Sequence, residues 1–362
     1  MLNTLKIVGL AISLVVFANC GGGGTSPSST YPNENNAVTT IAGTAGTTGS
    51  ADGTGTAAHF NHPFGITTDG TNLYVADTYN NIVRQIVIAT GAVSTIAGTP
   101  GTTGSADGIG TAATFSSPTG ITTDGTNLYL TDYGSNTVRK IVIATGAVST
   151  IAGTPGTTGS ADGTGTAATF HSPAGITTDG VNLYVADTNN STVRRIEFAT
   201  GVVTTLAGTA GAPGWADGIG AGANFSYPFG ITTDGTNLYV ADTNNSTVRR
   251  IEIATRAVTT VAGTVGVPGW ADNTGGAAYF DYPQGIATDG TNLYVADTSS
   301  STIRKIIIST RAVNTIAGIA LTTGSADGAG AVATFSSPAG IAVRGTNLYV
   351  ADTNNSTIRK IF

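Results

Sequence analysis

Six prolines, Pro63, Pro118, Pro173, Pro228, Pro283 and Pro338, follow one another at an unbroken spacing of 55 residues. Each sits in the same phrase. In the first copy it reads Phe60-x-x-Pro63-x-Gly65-Ile66, then Asp69-Gly70-Thr71-Asn72-Leu73-Tyr74-Val75-Ala76-Asp77. A fixed period of this length marks a repeat architecture, in which each unit buries its apolar surface against its neighbours. The repeat also sorts the residues. Whatever all copies share builds scaffold, and a site for one ligand lies where the copies differ.

The second copy shows what one unit folds into. Residues 120–123 are a short β-branched run, and Asp124-Gly125 is a strong hairpin signal. Residues 127–131 form a second run, residues 132–136 a polar turn, and residues 137–144 a third run. Thr145-Gly146 turns the chain into a fourth run at 147–152, and a Gly-rich loop from 153 to 169 leads to the next unit. Four antiparallel strands, repeated, predict an all-β chain folded as a six-bladed β-propeller with four-stranded blades. Arg256 and Arg311 replace the Gly of the Thr-Gly turn in two copies, so that position is not expected to require positive φ.

The ends of the repeat region agree with a ring. A fourth-strand sequence, residues 38–42, precedes the first complete unit, and the last unit stops at Phe362 after its third strand. The early strand is expected to complete the C-terminal blade, since an open ring leaves unpaired edges. The absence of a helical period excludes an α-solenoid. A β-helix has shorter coils and needs no such offset.

Charged residues are only 10% of the chain, against roughly 25% in ordinary soluble proteins. That suits sheets packed on both faces. The net charge of −6 and the lack of any basic cluster argue against nucleic acid, whose phosphates demand Lys and Arg.

The first 19 residues read as a targeting signal, with Lys6 before an apolar run at 7–17 that is short of the ~20 residues of a membrane span. Phe17-Ala18-Asn19-Cys20 resembles a bacterial lipoprotein signal, in which the Cys becomes the lipidated first residue. Asn19 departs from the small residue usual before that Cys. Cys20 is the only cysteine in the chain and has no disulfide partner. Residues 20–36 read as a Gly/Ser/Pro/Asn tether, and 37–362 as the propeller. The expected location is the bacterial cell envelope, lipid-anchored, with Gly21 pointing to the outer membrane.

Tyr74-Val75-Ala76-Asp77-Thr78 with Asn81-Ile82-Val83-Arg84-Gln85-Ile86 resembles the NHL repeat. So does Tyr184-Val185-Ala186-Asp187-Thr188-Asn189 with Val193-Arg194-Arg195-Ile196, and the likeness recurs in all six copies over residues 38–362. The resemblance implies a propeller scaffold of diverse uses and says little about a ligand. It also implies one rival, since some propellers of this kind are lyases with histidine-bound zinc at the channel mouth.

Two groups of residues are shared. An Asp is followed seven residues later by an Arg in every copy: Asp77/Arg84, Asp132/Arg139, Asp187/Arg194, Asp242/Arg249, Asp297/Arg304 and Asp352/Arg359. Identity in all copies favours a turn staple over a ring of charged ligands. The long loops share Asp52, Asp107, Asp162, Asp217, Asp272 and Asp327. Calcium is the functional candidate for these, but each loop offers one carboxylate where calcium takes six to eight oxygens, so a turn-stabilising role is favoured.

Differences cooperate only on one face. Strand alternation puts the long loop and the turn after the second strand together, with the two remaining turns opposite. On the long-loop face, copies four and five carry Trp215 and Trp270 where the others have Ser, and Tyr227 and Tyr282 before the Pro. Tyr279 and Phe229 extend this aromatic set, which suits sugar rings or a peptide. The competing role for each Trp is packing on its own Pro213 or Pro268. The three histidines, His59, His62 and His171, also lie near first-strand entrances, but two sit in one blade and one lies two blades away, short of a zinc site. Arg344 replaces Asp at the last hairpin, on the opposite face.

Together these readings predict a monomeric, lipid-anchored envelope propeller, without a cofactor, that binds a protein, peptide or glycan through Trp215, Trp270, Tyr227, Tyr282 and Phe229. The rival is a propeller lyase or lactone hydrolase with a metal at the channel mouth.

Overall fold

Apolar and β-branched runs of about six residues, separated by residues that turn, fold each repeat into a meander. A computed structural model describes residues 36–362. The first blade consists of Pro63–Thr68, Asn72–Asp77, Ile82–Val87 and Ala92–Ala97, each paired antiparallel with the next. The other repeats do the same, giving six sheets whose inner strands neighbour one another around a ring. The expected signal segment 1–19, Cys20 and the tether up to residue 35 lie outside the described residues.

Each blade has five strands rather than the expected four. The fifth is only two residues long and comes from the long loop. Gly53–Thr54 folds back on the outer strand of its own blade, with Gly53 opposite Val93 and Thr54 opposite Ala92. Two residues carry no alternation, so the sequence showed them as loop.

The core lies between blades. One cluster joins Tyr74, Ala76 and Val83 of the first blade to Phe115, Ile121, Leu128 and Leu130 of the second, and five equivalent clusters complete the ring. Inner strands approach so closely that only glycine fits behind the Pro. A Cβ on Gly65 or Gly120 would run into the carbonyl oxygen of Thr119 or Ala174 in the next blade. The ring encloses a channel of about 220 Å³.

The strand Ala37–Ala42 pairs with Thr357–Ile361, placing Val38 opposite Ile361 and Thr40 opposite Arg359. N- and C-terminal segments therefore share the sixth blade, and the ring has no seam without hydrogen bonds.

Five of the six first hairpins are Asp-Gly turns held by their Asp. Asp124 Oδ1 accepts the N–H groups of Thr126 and Asn127, and Oδ2 accepts from Asn127 Nδ2 and the Tyr129 hydroxyl at 2.9 Å. Partial burial opposes ionisation, but these donors outweigh it and hold the Asp124 carboxyl down at about 2. In the sixth blade Arg344 takes this place and donates instead to the Gly70 carbonyl of the first blade. Tyr349 is left with a buried hydroxyl that has no partner among the described residues. The other turn corrects an expectation: Arg256 and Arg311 both adopt φ of 60°, so the position does require the left-handed region and these two blades tolerate the strain.

Arg344→Asp should restore the acceptor for Tyr349 and raise stability by about 1 kcal/mol, read from chemical denaturation. Acid should act through the hairpins. Their carboxyls titrate below the unfolded value, so their contribution is present above pH ~4 and is lost as pH falls towards 2. The melting temperature should decline over that window, and Asp124→Asn should flatten the decline.

Candidate ligand-binding mouth of the channel

A buried arginine in each blade fixes the loops around the mouth. Arg84 Nη1 donates to Asp77 Oδ2 at 3.0 Å and to the His59 carbonyl at 2.8 Å. Its Nη2 donates to Asp52 Oδ1 and to the Ala51 carbonyl, both at 2.9 Å. The guanidinium carbon lies 5.0 Å from the Phe60 ring centre. Arg139, Arg194, Arg249, Arg304 and Arg359 repeat this with Asp132 and Asp107, Asp187 and Asp162, Asp242 and Asp217, Asp297 and Asp272, and Asp352 and Asp327. The two shared groups in the sequence are therefore one device, which ties the long loop to the turn after the second strand. Burial pushes the inner carboxyls up, Asp77 to about 6, against the pull of Asn61, Asn80 and Arg84. The outer Asp52 is half exposed, and its Oδ1 also accepts from Thr95.

On this frame the mouth departs from sixfold symmetry. Phe64 and Phe229 come from opposite blades, yet their rings lie 5.0 Å apart, so they meet across the axis. Tyr227 tilts against Phe229 at 6.1 Å. The Tyr227 hydroxyl lies 3.1 Å from that of Tyr133, two blades away. Burial and then the Tyr133 phenol push Tyr227 and Tyr282 upward. His62 stacks on Tyr79 at 4.3 Å and bonds Asn61 through Nδ1, and burial lowers its pKa. Among the described residues no charged side chain lines the channel.

Tyr133 reaches the mouth because a hydrogen bond has been relocated. In five blades the Thr after the buried Asp donates to the Pro carbonyl of the next inner strand, as Thr78 does to Pro118 at 2.8 Å. The second blade has Tyr133 at that position. The donor there is Thr131, where the other copies have Ala, and it bonds the Ala174 carbonyl. Two paired differences keep the blade contact and free position 133 for a phenol.

The structure thus brings Tyr227, Tyr282 and Phe229 to the channel mouth but does not join the tryptophans to them. Trp215 and Trp270 are 63% and 50% exposed, and neither belongs to a stacked ring pair among the described residues. Sequence reasoning missed Tyr133, Phe64 and Asp281. The signal was present in the register, since Tyr133 and Asp281 differ from all their counterparts and Phe64 shares its Phe only with Phe229. Asp281 is a half-buried carboxyl raised by burial, one residue before Tyr282. His59, His62 and His171 do not converge, and among the described residues no three His, Cys, Asp or Glu side chains form a metal-holding group. The residues present do not fit a histidine-bound zinc.

Residues 335–361 match the NHL repeat family. The chain is 31% identical over 285 residues to the Arabidopsis thaliana protein SUPPRESSOR OF QUENCHING 1, chloroplastic, covering 73% of this chain and 26% of that one. It is 29% identical over 303 residues to human NHL repeat-containing protein 2, covering 74% and 42%. The chain therefore spans less than half of these relatives. An auxiliary nutrient binding protein from Bacteroides thetaiotaomicron superposes with a TM-score of 0.69 at 19% identity, over 90% of this chain and 76% of that one. A catalytically inactive virginiamycin B lyase from Staphylococcus aureus does so at 0.53 and 17%, over 90% and 98%. Both structures share the fold.

Removing one guanidinium should leave a buried carboxylate unpaired. Arg194→Leu should cost about 3–5 kcal/mol in denaturant unfolding. Asp162→Asn, at the half-exposed end of the same clamp, should cost about 1 kcal/mol or less.

Proposed function

The chain is an NHL-repeat β-propeller, and from that premise we propose that it is a lipid-anchored binding module of the bacterial envelope. It takes a protein, peptide or glycan at the long-loop face. The observation that carries this reading is the aromatic mouth. Tyr133, Tyr227, Phe229, Phe64 and Tyr282 break the repeat on one face of a ring that is otherwise close to sixfold. The exposed Trp215 and Trp270 provide an outer rim for the larger partners. Nutrient-binding propellers from Bacteroides support the binding class through their fold. The lyase reading would need convergent metal ligands, and the mouth offers phenols and phenylalanines instead.

Serine occupies the Tyr227 and Tyr282 positions in three other copies, also at positive φ, so Tyr227→Ser and Tyr282→Ser should fold normally. With a ligand found by screening envelope peptides and glycans, each should weaken binding about tenfold, a loss near 1.4 kcal/mol. Trp215→Ala and Trp270→Ala should matter only for macromolecular partners. Full affinity in all four variants would remove the long-loop face from consideration.

A further inference from the structure

We infer that the mouth recognises an uncharged saccharide, with a sugar ring laid on Tyr227 above the Phe64–Phe229 floor and its hydroxyls bonded to the Tyr133 and Tyr282 phenols. This rests on the reading of the mouth as a binding site and names the class of ligand.

Charge narrows the class first. None of the six long loops or the six turns after the second strand contains a Lys or Arg. The six buried arginines beneath them are each committed to two carboxylates. Acidic sugars, nucleotides and phosphorylated ligands therefore meet no cation, and they face half-exposed aspartates along the rim. Among the described residues the channel lining has no carboxylate to neutralise a bound ammonium, and the acid beside the mouth, Asp281, lies outside that lining. His62 sits partly buried against Tyr79, with its titration shifted downward, and is neutral at pH 7.

The surface chemistry narrows it further. A pyranose has an apolar C–H face and a polar rim. Tyr227, held by the Tyr133 hydroxyl and resting on Phe229, presents a ring in fixed orientation. Phenols donate and accept, as sugar hydroxyls do, so the pair can exchange roles around a ring of hydroxyls. Gln284 lines the channel beside them, and its amide adds a donor and an acceptor. Asp281 makes no ion pair among the described residues and is an acceptor on the same blade.

The arrangement suits a peptide less well. Strand addition needs a free edge. The inner strands turn their free edges into a narrow channel, and short strands such as Gly53–Thr54 partly cover the outer ones. The relocated hydrogen bond at Thr131 is the feature that a purely structural mouth does not require. It keeps the contact between blades while giving up a Thr that five blades use, and the product is a phenol over the axis.

The test is calorimetric titration of the purified protein with four classes of probe: neutral oligosaccharides (cello-, malto- and N-acetylglucosamine oligomers), oligogalacturonate, a lysine-rich peptide and choline. At least one neutral series should bind, and oligogalacturonate should not. Tyr227→Ser should reduce that binding about tenfold. Thr131→Ala with Tyr133→Thr, which rewrites both positions to the sequence of the other blades, should reduce it several-fold with the melting temperature retained. Tyr133→Phe should lose less, since the ring remains. No binding by any neutral oligosaccharide overturns the inference. Binding of the peptide or choline, lost in Tyr227→Ser, overturns the saccharide assignment and leaves the mouth as the site. Binding of any probe that is indifferent to every mouth variant overturns both.

Discussion

A guanidinium with no access to water must have its charge balanced where it stands, and this requirement organises every blade; the two Nη groups are met, while Nε of each of the six arginines has no partner among the described residues. Arg84 can be buried only because the Asp77 turn, the Asp52 loop and two carbonyls converge on it over the Phe60 ring. Breaking any of these leaves a charge in a medium that solvates it poorly. The long loops hold few large apolar residues and many glycines, so packing alone would leave them loose. The clamp gives them one position, and sixfold repetition makes the long-loop face a fixed platform.

A platform of this kind separates two sets of residues. Those that touch the clamp, the inter-blade core or the Gly65-type contacts are bound to the repeat and scarcely vary. Side chains at positions 62, 64, 78 and 79 of the repeat and their counterparts stand around the axis, and of these the Thr at 78 and its counterparts also bond the next blade. Change there costs little stability, and it is there that His62, Phe64, Tyr79, Tyr133, Tyr227, Tyr282 and Gln284 appear. The exception is informative. Position 133 also carried an inter-blade hydrogen bond, and its change to Tyr is accompanied by Thr131, which replaces that bond.

The ring, its blade number and its closure were legible from the 55-residue period and the displaced first strand, because strand-forming runs and Asp-Gly turns act locally. The two-residue fifth strands were not, since pairing that short is decided by the neighbouring outer strand. The Asp–Arg pairs were visible as spacing, but their union with the Asp52 group was hidden. That contact joins residues 32 apart through a fold that brings the loop back over the blade. For the mouth, Tyr227, Tyr282 and Phe229 were legible as departures from the repeat. Their grouping with the tryptophans followed sequence neighbourhood, whereas the structure groups by distance from the axis. Phe64 and Tyr133 belong with them only because the ring places blades one, two and four around a single opening.

Backbone strain completes the account of why the mouth sits where it does. The residue before each Pro is in the left-handed region in every blade: His62, Ser117, Ser172, Tyr227, Tyr282 and Ser337, with φ between 50° and 57°. Bulky side chains rarely adopt that conformation. A glycine would relieve it, yet none of the six copies uses one. The strain persists because the Asp of the clamp fixes the preceding residue, as Asp77 Oδ1 does by accepting the Asn61 N–H at 2.7 Å, while the Pro enters the inner strand. The same geometry turns the intervening side chain towards the opening. A tyrosine there is placed by the scaffold with little freedom of its own, which is the condition for recognising a small ligand without a large ordering cost.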